Sequence, residues 1–220
     1  MSAAAGAAAL VMARAPVPGR CKTRLEPLLG PEGCARLQAG LVRRTAAWAH
    51  EVAPGAAWLA FTPPDREDDL RALVPLGTRL IAQEGADLGE RLTAASARVL
   101  AEHPGPLLIV GTDLPRLSAR HAAAALSDLA DGCEVSLGPA LDGGWYLMGV
   151  RRPQPALFAL PSDAWGGPEV WTLTIAAAET GRLSLGLLRA ERDLDTPKDA
   201  QAMLADPMLP PDIAELLRPR

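Results

Sequence analysis

The segment GPLLIVGTDLP, residues 105–115, carries the clearest strand signal in the chain. Its middle is continuously apolar, which is typical of a parallel strand that is buried on both faces of a sheet. The apolar run ends in Asp113, and Pro115 then removes a backbone donor and forces a turn. A carboxylate at the carboxyl end of such a strand lies where α/β sheets bind their ligands.

The rest of the chain alternates short apolar runs with segments of helical periodicity. Further strands are predicted at residues 8–13, 56–62 and 78–83 and in the segments CEVSLGPA, GWYLMGV and LSLGLLRAE. Helices are predicted from about Pro31, over 65–74 and 88–102, from Ser118 to about Leu129, in GPEVWTLTIAAAETG and after Thr196. This alternation predicts an α/β fold, a three-layer sandwich with a mostly parallel central sheet. We expect a single domain, residues 1–220, because about half of the residues are apolar and can form one large core.

The composition excludes several functional classes. The net charge is −4 and the sequence pI is about 5.4, whereas a nucleic-acid-binding protein usually has a basic surplus, so no nucleic-acid partner is expected. No run of about eighteen apolar residues occurs, so no membrane span is expected. The chain lacks the GxSxG motif of many serine hydrolases, and its three histidines are dispersed, so no histidine metal site is expected.

The cysteines bear on the compartment of the protein. Cys21, Cys34 and Cys133 are scattered and form no CxxC pair. This pattern indicates free thiols in a reducing environment and therefore a cytoplasmic protein. A less favoured alternative is a catalytic thiol at Cys21, whose pKa the neighbouring Lys22 would lower.

The loop PVPGRCKTRL, residues 16–25, directly follows the first predicted strand. It gathers three cations into five positions, among them Lys22 and Arg24, behind a flexible Gly19. Cys21 stands where a Walker A loop needs glycine, so that motif is excluded. Converging cations in an acidic chain suggest a polyphosphate site, although a solvated basic turn would have the same sequence. Lys22 is one of two lysines beside twenty arginines, and we predict that it serves as a small, mobile cation for phosphate.

Two acidic segments are candidates for a metal site. Asp113 could bind a divalent metal that bridges phosphates, or could simply cap the turn. The later segment RDLDTPKD contains Asp193 and Asp195, which project to one face if the backbone is extended. Either carboxylate would complete a metal site if its loop meets Asp113. Thr196 and Asp199 are more simply explained as the start of a helix.

Two glycine-containing segments add further candidates. QEGADLGERL places Asp87 and Arg91 before a helix, where they would contact phosphate or only start the helix. In GPALDGGWYLMGV, Gly143 and Gly144 would let the backbone approach a ligand closely, although a tight hairpin explains them almost as well. Asp142 in the same segment is a ligand contact or a turn former.

Taken together and in this order, RAPVPGRCKTRL, QEGADLGERL, GTDLP, GPALDGGWYLMGV and RDLDTPKD resemble a small bacterial branch of the GT-A superfamily. The branch is similar to 2-phospholactate guanylyltransferase and molybdenum-cofactor guanylyltransferase, and some of its members are labelled glycosyltransferases. The resemblance covers about residues 7–204. It implies the Rossmann-like nucleotide-diphospho-sugar transferase fold, a nucleotide-binding enzyme, and Mg²⁺ or Mn²⁺ as the cofactor.

The resemblance also implies roles for individual residues. It places the nucleotide phosphates on Arg14, Gly19, Lys22 and Arg24, the metal on Asp113 and on Asp193 or Asp195, and the acceptor or donor on Asp142, Gly143 and Gly144. Of these, Lys22, Arg24 and Asp113 are predicted to act in catalysis. Trp165, in the Pro-rich segment 151–168, is predicted to line the substrate site as part of a flap. The chain departs from the branch at Gly167, where a Ser or Thr is common, so a hydroxyl contact from that position is in doubt.

Two transfer reactions fit these motifs. Glycosyltransferases of this fold commonly carry an Asp-x-Asp pair at the strand end, and Pro115 replaces the second acidic residue here, which favours nucleotidyl transfer. The labels within the branch favour glycosyl transfer instead. A non-catalytic nucleotide-binding module is the third interpretation. The expected partners are a nucleotide or nucleotide sugar and a small acceptor, and a homodimer is one option for the oligomeric state.

Overall fold

The structure is a computed structural model that describes residues 6–218. The first five and the last two residues of the predicted 1–220 domain lie outside the described residues. Within 6–218, one seven-stranded sheet has the order β3-β2-β1-β4-β6-β5-β7. Its strands are β1 (Ala8–Arg14), β2 (Ala57–Thr62), β3 (Arg79–Ala82), β4 (Leu107–Val110), β5 (Val135–Pro139), β6 (Trp145–Val150) and β7 (Leu185–Leu187).

The strand directions confirm the predicted α/β class. Only β6 runs antiparallel to its neighbours β4 and β5, and the other neighbouring pairs are parallel. All four residues of β4 are buried, as expected for the continuous apolar run that predicted this strand. No helix within residues 6–218 is long and apolar enough to cross a bilayer.

Helices flank the sheet. They are α1 (Glu26–Val52), α2 (Glu67–Arg71), α3 (Leu88–Glu102), α4 (Ala119–Ala130), α5 (Val170–Thr180), α6 (Pro197–Leu204) and α7 (Pro211–Leu216). The predicted start at Pro31 coincides with a kink in α1, because Gly30 has φ 66 and ψ 169 and separates a first turn from the main helix. The sequence predicted α3 at its observed bounds, whereas α7 was not predicted.

A second, smaller apolar cluster lies apart from the main core. It joins α1, α6 and α7 through residues such as Leu37, Met203 and Ile213, and it also contains Leu194. Leu194 is fully buried in this cluster. It therefore anchors the segment that carries Asp193 and Asp195. Directly after it, Thr196 and Asp199 form the predicted capping box that starts α6.

The topology brings distant loops to one edge of the sheet. β1 pairs with β2 on one side and with β4 on the other, so the chain order reverses at the β1–β4 neighbours. The loops that follow two such strands border a crevice, which is the usual ligand position in open α/β sheets. The β5–β6 connection emerges at the same edge, at the carboxyl end of β5.

Candidate functional site

A cavity of about 500 Å³ opens at this edge of the sheet. Loops that follow β1, β3 and β4, the β5–β6 connection and the segment after β7 form its walls. Ten of the predicted site residues line it: Arg14, Lys22, Arg24, Arg91, Asp113, Asp142, Gly144, Trp165, Asp193 and Asp195. Residues separated by more than 170 positions in the sequence therefore share one cavity.

Lys22 lies at the centre of a charged cluster. Its Nζ contacts Asp113 Oδ1 at 2.6 Å and Asp195 Oδ1 at 2.9 Å, and donates to the backbone carbonyl of Leu194 at 2.7 Å. The Lys22 side chain is 4% exposed, whereas those of Asp113 and Asp195 are 41% and 31% exposed. Burial lowers the pKa of Lys22, but the attraction of the two carboxylates outweighs it and raises the pKa overall, so the ammonium stays charged.

This geometry differs from the mobile cation that the sequence suggested. An ammonium has three N–H donors, and protein acceptors engage all three in Lys22. Lys22 therefore fixes two acidic loops, and its contact with phosphate stays a prediction. The reason is topological, since the acceptors come from segments about 90 and 170 residues further along the chain.

The two acidic loops meet, as a metal site between them requires. The backbone N–H of Leu194 donates to the carbonyl oxygen of Asp113 at 2.8 Å. Asp195, the next residue after Leu194, also forms an ion pair with Arg24, with 3.5 Å between its Oδ2 and the Nη1 of Arg24. Asp113, Asp193 and Asp195 are thus neighbours in space.

Asp193 is the least satisfied of these carboxylates. Its Oδ1 is buried and has no hydrogen-bond partner. Burial raises the pKa of Asp193 to about 8, and repulsion from Asp113 and Asp142 adds to the shift while Lys22 opposes it. A buried, unpartnered carboxylate oxygen that lines a cavity is a group that a cation would satisfy.

The three carboxylates suit Mg²⁺ or Mn²⁺ by donor type, because both ions prefer hard oxygen ligands. Among residues 6–218, however, no three acidic, histidine or cysteine side chains are already grouped as a metal site. Instead, the ammonium of Lys22 lies between the oxygens of Asp113 and Asp195. The residues fit the ion, provided that they rearrange around it.

Three arginines complete the cationic part of the cavity. Arg14 donates to the carbonyl of Arg20 at 3.1 Å, and Arg91 donates to the carbonyls of Gly85 (3.0 Å) and Ala86 (3.4 Å). A guanidinium has five N–H donors, so Arg14, Arg24 and Arg91 keep several for a ligand. The structure gathers these arginines and Lys22 at one cavity, and their phosphate contacts stay a prediction.

Three predicted site residues do not line the cavity. Asp87 accepts hydrogen bonds from the Glu90 N–H (2.9 Å) and the Ser162 hydroxyl (2.5 Å), and the bond from Ser162 holds the pKa of Asp87 below its usual range. We reassign Asp87 from a phosphate contact to the cap of α3. Gly19 lies in the preceding turn with φ +71.

Gly143, the third of these residues, has φ +97, and a Cβ there would overlap the backbone of Pro168. Its carbonyl accepts from the N–H of Trp171 at 2.8 Å, so Gly143 joins the β5–β6 connection to the start of α5. We reassign it from a ligand contact to this packing role. Gly144 next to it lines the cavity and donates its N–H to Asp142 Oδ1 at 3.0 Å.

One wall of the cavity is aromatic. Trp145 and Trp165 line it, and the Trp145 ring packs against Phe158 with 6.5 Å between ring centroids. Gly89 allows the segment of Trp165 to close on α3, because a Cβ at Gly89 would overlap the carbonyl oxygen of Phe158 and approach the Trp165 indole. The predicted flap is thus packed against the start of α3.

Sequence reasoning missed Gln83 and Gln38. The Gln83 side-chain amide donates to the carbonyls of Ala13 (3.3 Å) and Ala60 (2.9 Å), so only its carbonyl oxygen can serve a ligand. Gln38 is buried and donates to the carbonyl of Arg14 at 3.0 Å, which fixes the start of the cationic loop. Gln83 is a polar residue directly after the apolar residues of β3, at the carboxyl end where ligands bind. That position could have marked it as a candidate site residue.

The structure removes Cys21 as a catalytic thiol. Cys21 is buried, and burial, followed by the neighbouring Cys34, raises its pKa to about 11. Lys22 and Arg14 lower it only in part. The thiol is therefore protonated near neutral pH and a poor nucleophile.

Comparison with known proteins places the chain in a family. The sequence profile of the family described as "Uncharacterized protein conserved in bacteria (DUF2064)" matches residues 45–166. The chain belongs to this family. No protein with a curated description matches the sequence significantly.

Solved structures agree with the fold that the resemblance implied. A candidate nucleotide-diphospho-sugar transferase of Desulfovibrio desulfuricans G20 has 26% identity and a TM-score of 0.85, over 96% of this chain and 93% of that one. Two more distant structures are similar in fold alone.

The first is CMP:2-keto-3-deoxy-manno-octonic acid synthetase complexed with CTP. It has 16% identity and a TM-score of 0.53, over 90% of this chain and 96% of that one. The other is Rv0371c of Mycobacterium tuberculosis H37Rv in complex with manganese, with 23% identity and a TM-score of 0.51 over 94% and 99%. The predicted nucleotide-diphospho-sugar transferase fold is confirmed.

Proposed function

We propose that this DUF2064 protein is a metal-dependent transferase that binds a nucleotide in the cavity and transfers its nucleotidyl group to a small acceptor. One observation carries the proposal: cations from the end of β1, the loop after it and the first turn of α3 converge with carboxylates from the loops after β4 and β7. A polyphosphate with a divalent ion needs both kinds of group within one cavity. In a chain of net charge −4, this gathering of cations is local.

The cationic loops would hold the phosphates. Arg14, Arg24 and Arg91 offer planar guanidinium forks that match phosphate oxygens. Lys22 adds a positive charge next to Asp113 and Asp195, which it contacts from the buried side of the cavity. Gln83, beside them in the cavity, would accept a hydrogen bond from an N–H group of the nucleobase.

Asp113, Asp193 and Asp195 would hold the divalent ion. When bound, such an ion neutralises the charge of the phosphate oxygens. The remaining contribution of the chain is positioning: it fixes the phosphates against one wall and leaves the acceptor the space beside Asp142 and Trp165. No covalent intermediate is needed for such a transfer, because orientation and charge stabilisation supply the acceleration. The similar structure that is complexed with CTP supports nucleotidyl transfer as the first candidate.

Glycosyl transfer from a nucleotide sugar is the second candidate, and the aromatic wall favours it. This wall, from Asp142 to Tyr146 and from Trp165 to Val170, contributes no lysine or arginine to the cavity lining. Indole side chains and the one carboxylate of this wall, Asp142, suit an uncharged sugar better than a phosphorylated acceptor, which would need cations. The similarity to a candidate nucleotide-diphospho-sugar transferase supports this option.

Thermal unfolding with a ligand panel separates the candidates. The panel contains nucleoside triphosphates, nucleoside diphosphates and nucleotide sugars, each with Mn²⁺ or with a chelator. A ligand at about a hundred times its Kd adds about 2.7 kcal/mol to the stability, which shifts the Tm visibly. A Mn²⁺-dependent shift with a triphosphate supports nucleotidyl transfer, whereas a shift confined to a nucleotide sugar and its diphosphate supports glycosyl transfer. No shift with any ligand would overturn both and leave a fold without this function.

A further inference from the structure

The ammonium of Lys22 fills a space that is suited to a divalent ion. It lies 2.6 Å from Asp113 Oδ1 and 2.9 Å from Asp195 Oδ1, and the carbonyl of Leu194 takes its third N–H. Mg²⁺ binds carboxylate oxygens at about 2.0–2.1 Å, so an ion on these two oxygens would lie close to Nζ, and the two positive charges would repel each other. The two cations therefore compete for this pair of carboxylates.

We infer that Lys22 is an exchangeable counter-ion: its ammonium occupies the metal position between Asp113 and Asp195, and metal binding displaces it toward the phosphates. The inference rests on the proposed function. It assigns Lys22 two successive partners and makes metal and nucleotide bind cooperatively. A lysine suits this role better than an arginine, because its charge is compact and its stem is flexible.

The two cations would reach the carboxylates from different sides. The Lys22 side chain is 4% exposed and approaches from within the protein, whereas Asp113 and Asp195 are 41% and 31% exposed and face the cavity. An ion that enters from the cavity also gains the buried Oδ1 of Asp193, which has no partner while Lys22 holds the other two carboxylates. The metal thus gains an oxygen ligand that Lys22 does not use.

The backbone of Lys22 is strained in this position. Lys22 has φ 50 and ψ 35, in the left-handed region that is unfavourable for residues with a Cβ. The Leu25 N–H also donates to the Lys22 carbonyl at 2.8 Å, so the turn that follows and the ion pairs of the side chain both hold this conformation. Release of Nζ from Asp113 would remove one of these constraints and so lower the cost of the exchange.

Coupling between metal and nucleotide follows from the exchange. Once displaced, the ammonium has N–H donors available for phosphate, so bound metal strengthens nucleotide binding. By linkage, bound nucleotide strengthens metal binding by the same factor. Removal of Lys22 should abolish most of this coupling while it makes the free metal site more accessible.

The test is Mn²⁺ binding, measured by calorimetry without nucleotide on the wild type and on Lys22→Met. We expect the variant to bind Mn²⁺ at least about tenfold more tightly, because Asp113 and Asp195 lose their internal cation and repel each other. Lys198→Met is the matched control: it removes the other lysine, which is exposed at the start of α6. It should change the Kd by less than about threefold, since exposed charges are screened.

Arg24→Met is a second control. It removes a cation that contacts Asp195 at 3.5 Å from an exposed position, without touching Asp113. If Lys22 acts only through general electrostatics, Arg24→Met and Lys22→Met should tighten Mn²⁺ binding equally, and that result would overturn the inference. Equal or weaker binding by Lys22→Met than by the wild type would overturn it too, while Mn²⁺ binding by the wild type would leave the proposed function intact. If neither protein binds Mn²⁺, the inference and the metal dependence both fail.

A second measurement on the wild type covers the case in which Lys22→Met does not fold. Lysine labelled with ¹³C at Cε gives one signal for each of the two lysine side chains, and Lys198→Arg assigns them. Saturation with Mg²⁺ should shift the Lys22 signal and leave that of Lys198 in place. An unchanged Lys22 signal, at a Mg²⁺ concentration that calorimetry shows to be saturating, would contradict the exchange.

Discussion

The two walls of the cavity are built in different ways. One wall is charged, and its key contacts are ion pairs between loops that lie far apart in sequence, with Lys22 bound to Asp113 and Asp195. The other wall is aromatic, and glycines position it by close backbone packing, as Gly143 does against Pro168. The first wall is specified by charge and the second by shape.

This difference assigns the two walls to different parts of a substrate. Phosphate and metal need charge, and only the first wall offers lysine and arginine to the cavity. A sugar or another uncharged acceptor needs an apolar surface and hydrogen-bond acceptors for its hydroxyls. The second wall offers the surface through Trp165 and the acceptors through the carboxylate of Asp142. Substitutions in one wall should therefore change different properties from substitutions in the other.

The largest expected effect is on Mn²⁺ binding, and it should differ between a carboxylate of the charged wall and one of the aromatic wall. Asp113→Asn should weaken Mn²⁺ binding at least about a hundredfold, because it removes a proposed ligand and a partner of Lys22. Asp142→Asn, on the aromatic wall, should change it by less than about fivefold. Calorimetry of both variants checks this, and equal losses would contradict the division of the walls.

The adjacent glycines of the aromatic wall provide the next comparison. Gly143→Ala should destabilise the fold by about 2–3 kcal/mol, because the new Cβ strains a φ of +97 and overlaps the Pro168 backbone. Gly144→Ala meets only Asp142 Oδ1 at 3.4 Å and should cost less than about 1 kcal/mol. Urea unfolding of the two variants measures this difference, and similar losses would show that Gly143 does not fix the wall.

A third pair of variants tests which wall reads which part of the ligand. Arg91→Met should weaken a nucleoside diphosphate and its nucleotide sugar equally, by about tenfold, since it removes a charge-assisted phosphate contact. Trp165→Leu should weaken only the nucleotide sugar, by about tenfold, through lost contact with the sugar. Competition binding with both ligands measures these affinities. Weaker binding of the diphosphate by Trp165→Leu would contradict the assignment of the phosphates to the charged wall.

The pH dependence of metal binding sharpens the account of the charged wall. The pKa of Asp193 is raised to about 8, chiefly by burial, so this carboxyl is mostly protonated at neutral pH. A metal must displace that proton, and its affinity should therefore rise by about tenfold between about pH 7 and about pH 9. Asp193→Asn should flatten the profile. A wild-type profile that is flat over this range would exclude Asp193 as a ligand.

The sequence predicted the fold, and it predicted most of the loops that line the candidate cavity. Uninterrupted apolar residues before Asp113 were enough to place β4, and the capping chemistry around Thr196 placed the start of α6. Local patterns of this kind depend on neighbouring residues only. The short helix α7 escaped prediction because its stability comes from the apolar cluster with α1.

Roles that depend on distant partners were not predictable. The sequence could not show that Lys22 is buried, because its acceptors lie about 90 and 170 positions away. It could not separate Gly143 from Gly144, since only the position of Pro168 distinguishes them. Gln83 looked like the end of a strand, and its fixed orientation follows from carbonyls on β1 and β2.

The most direct test of the central claim is a calorimetric titration of the wild-type protein with a nucleoside triphosphate and its diphosphate, in Mn²⁺ and in chelator. We predict saturable binding in Mn²⁺ that weakens at least about tenfold in chelator, and that Asp113→Asn in Mn²⁺ weakens it to a similar extent. Nucleotide binding of equal strength in chelator and in Mn²⁺, or in Asp113→Asn and the wild type, would contradict the account.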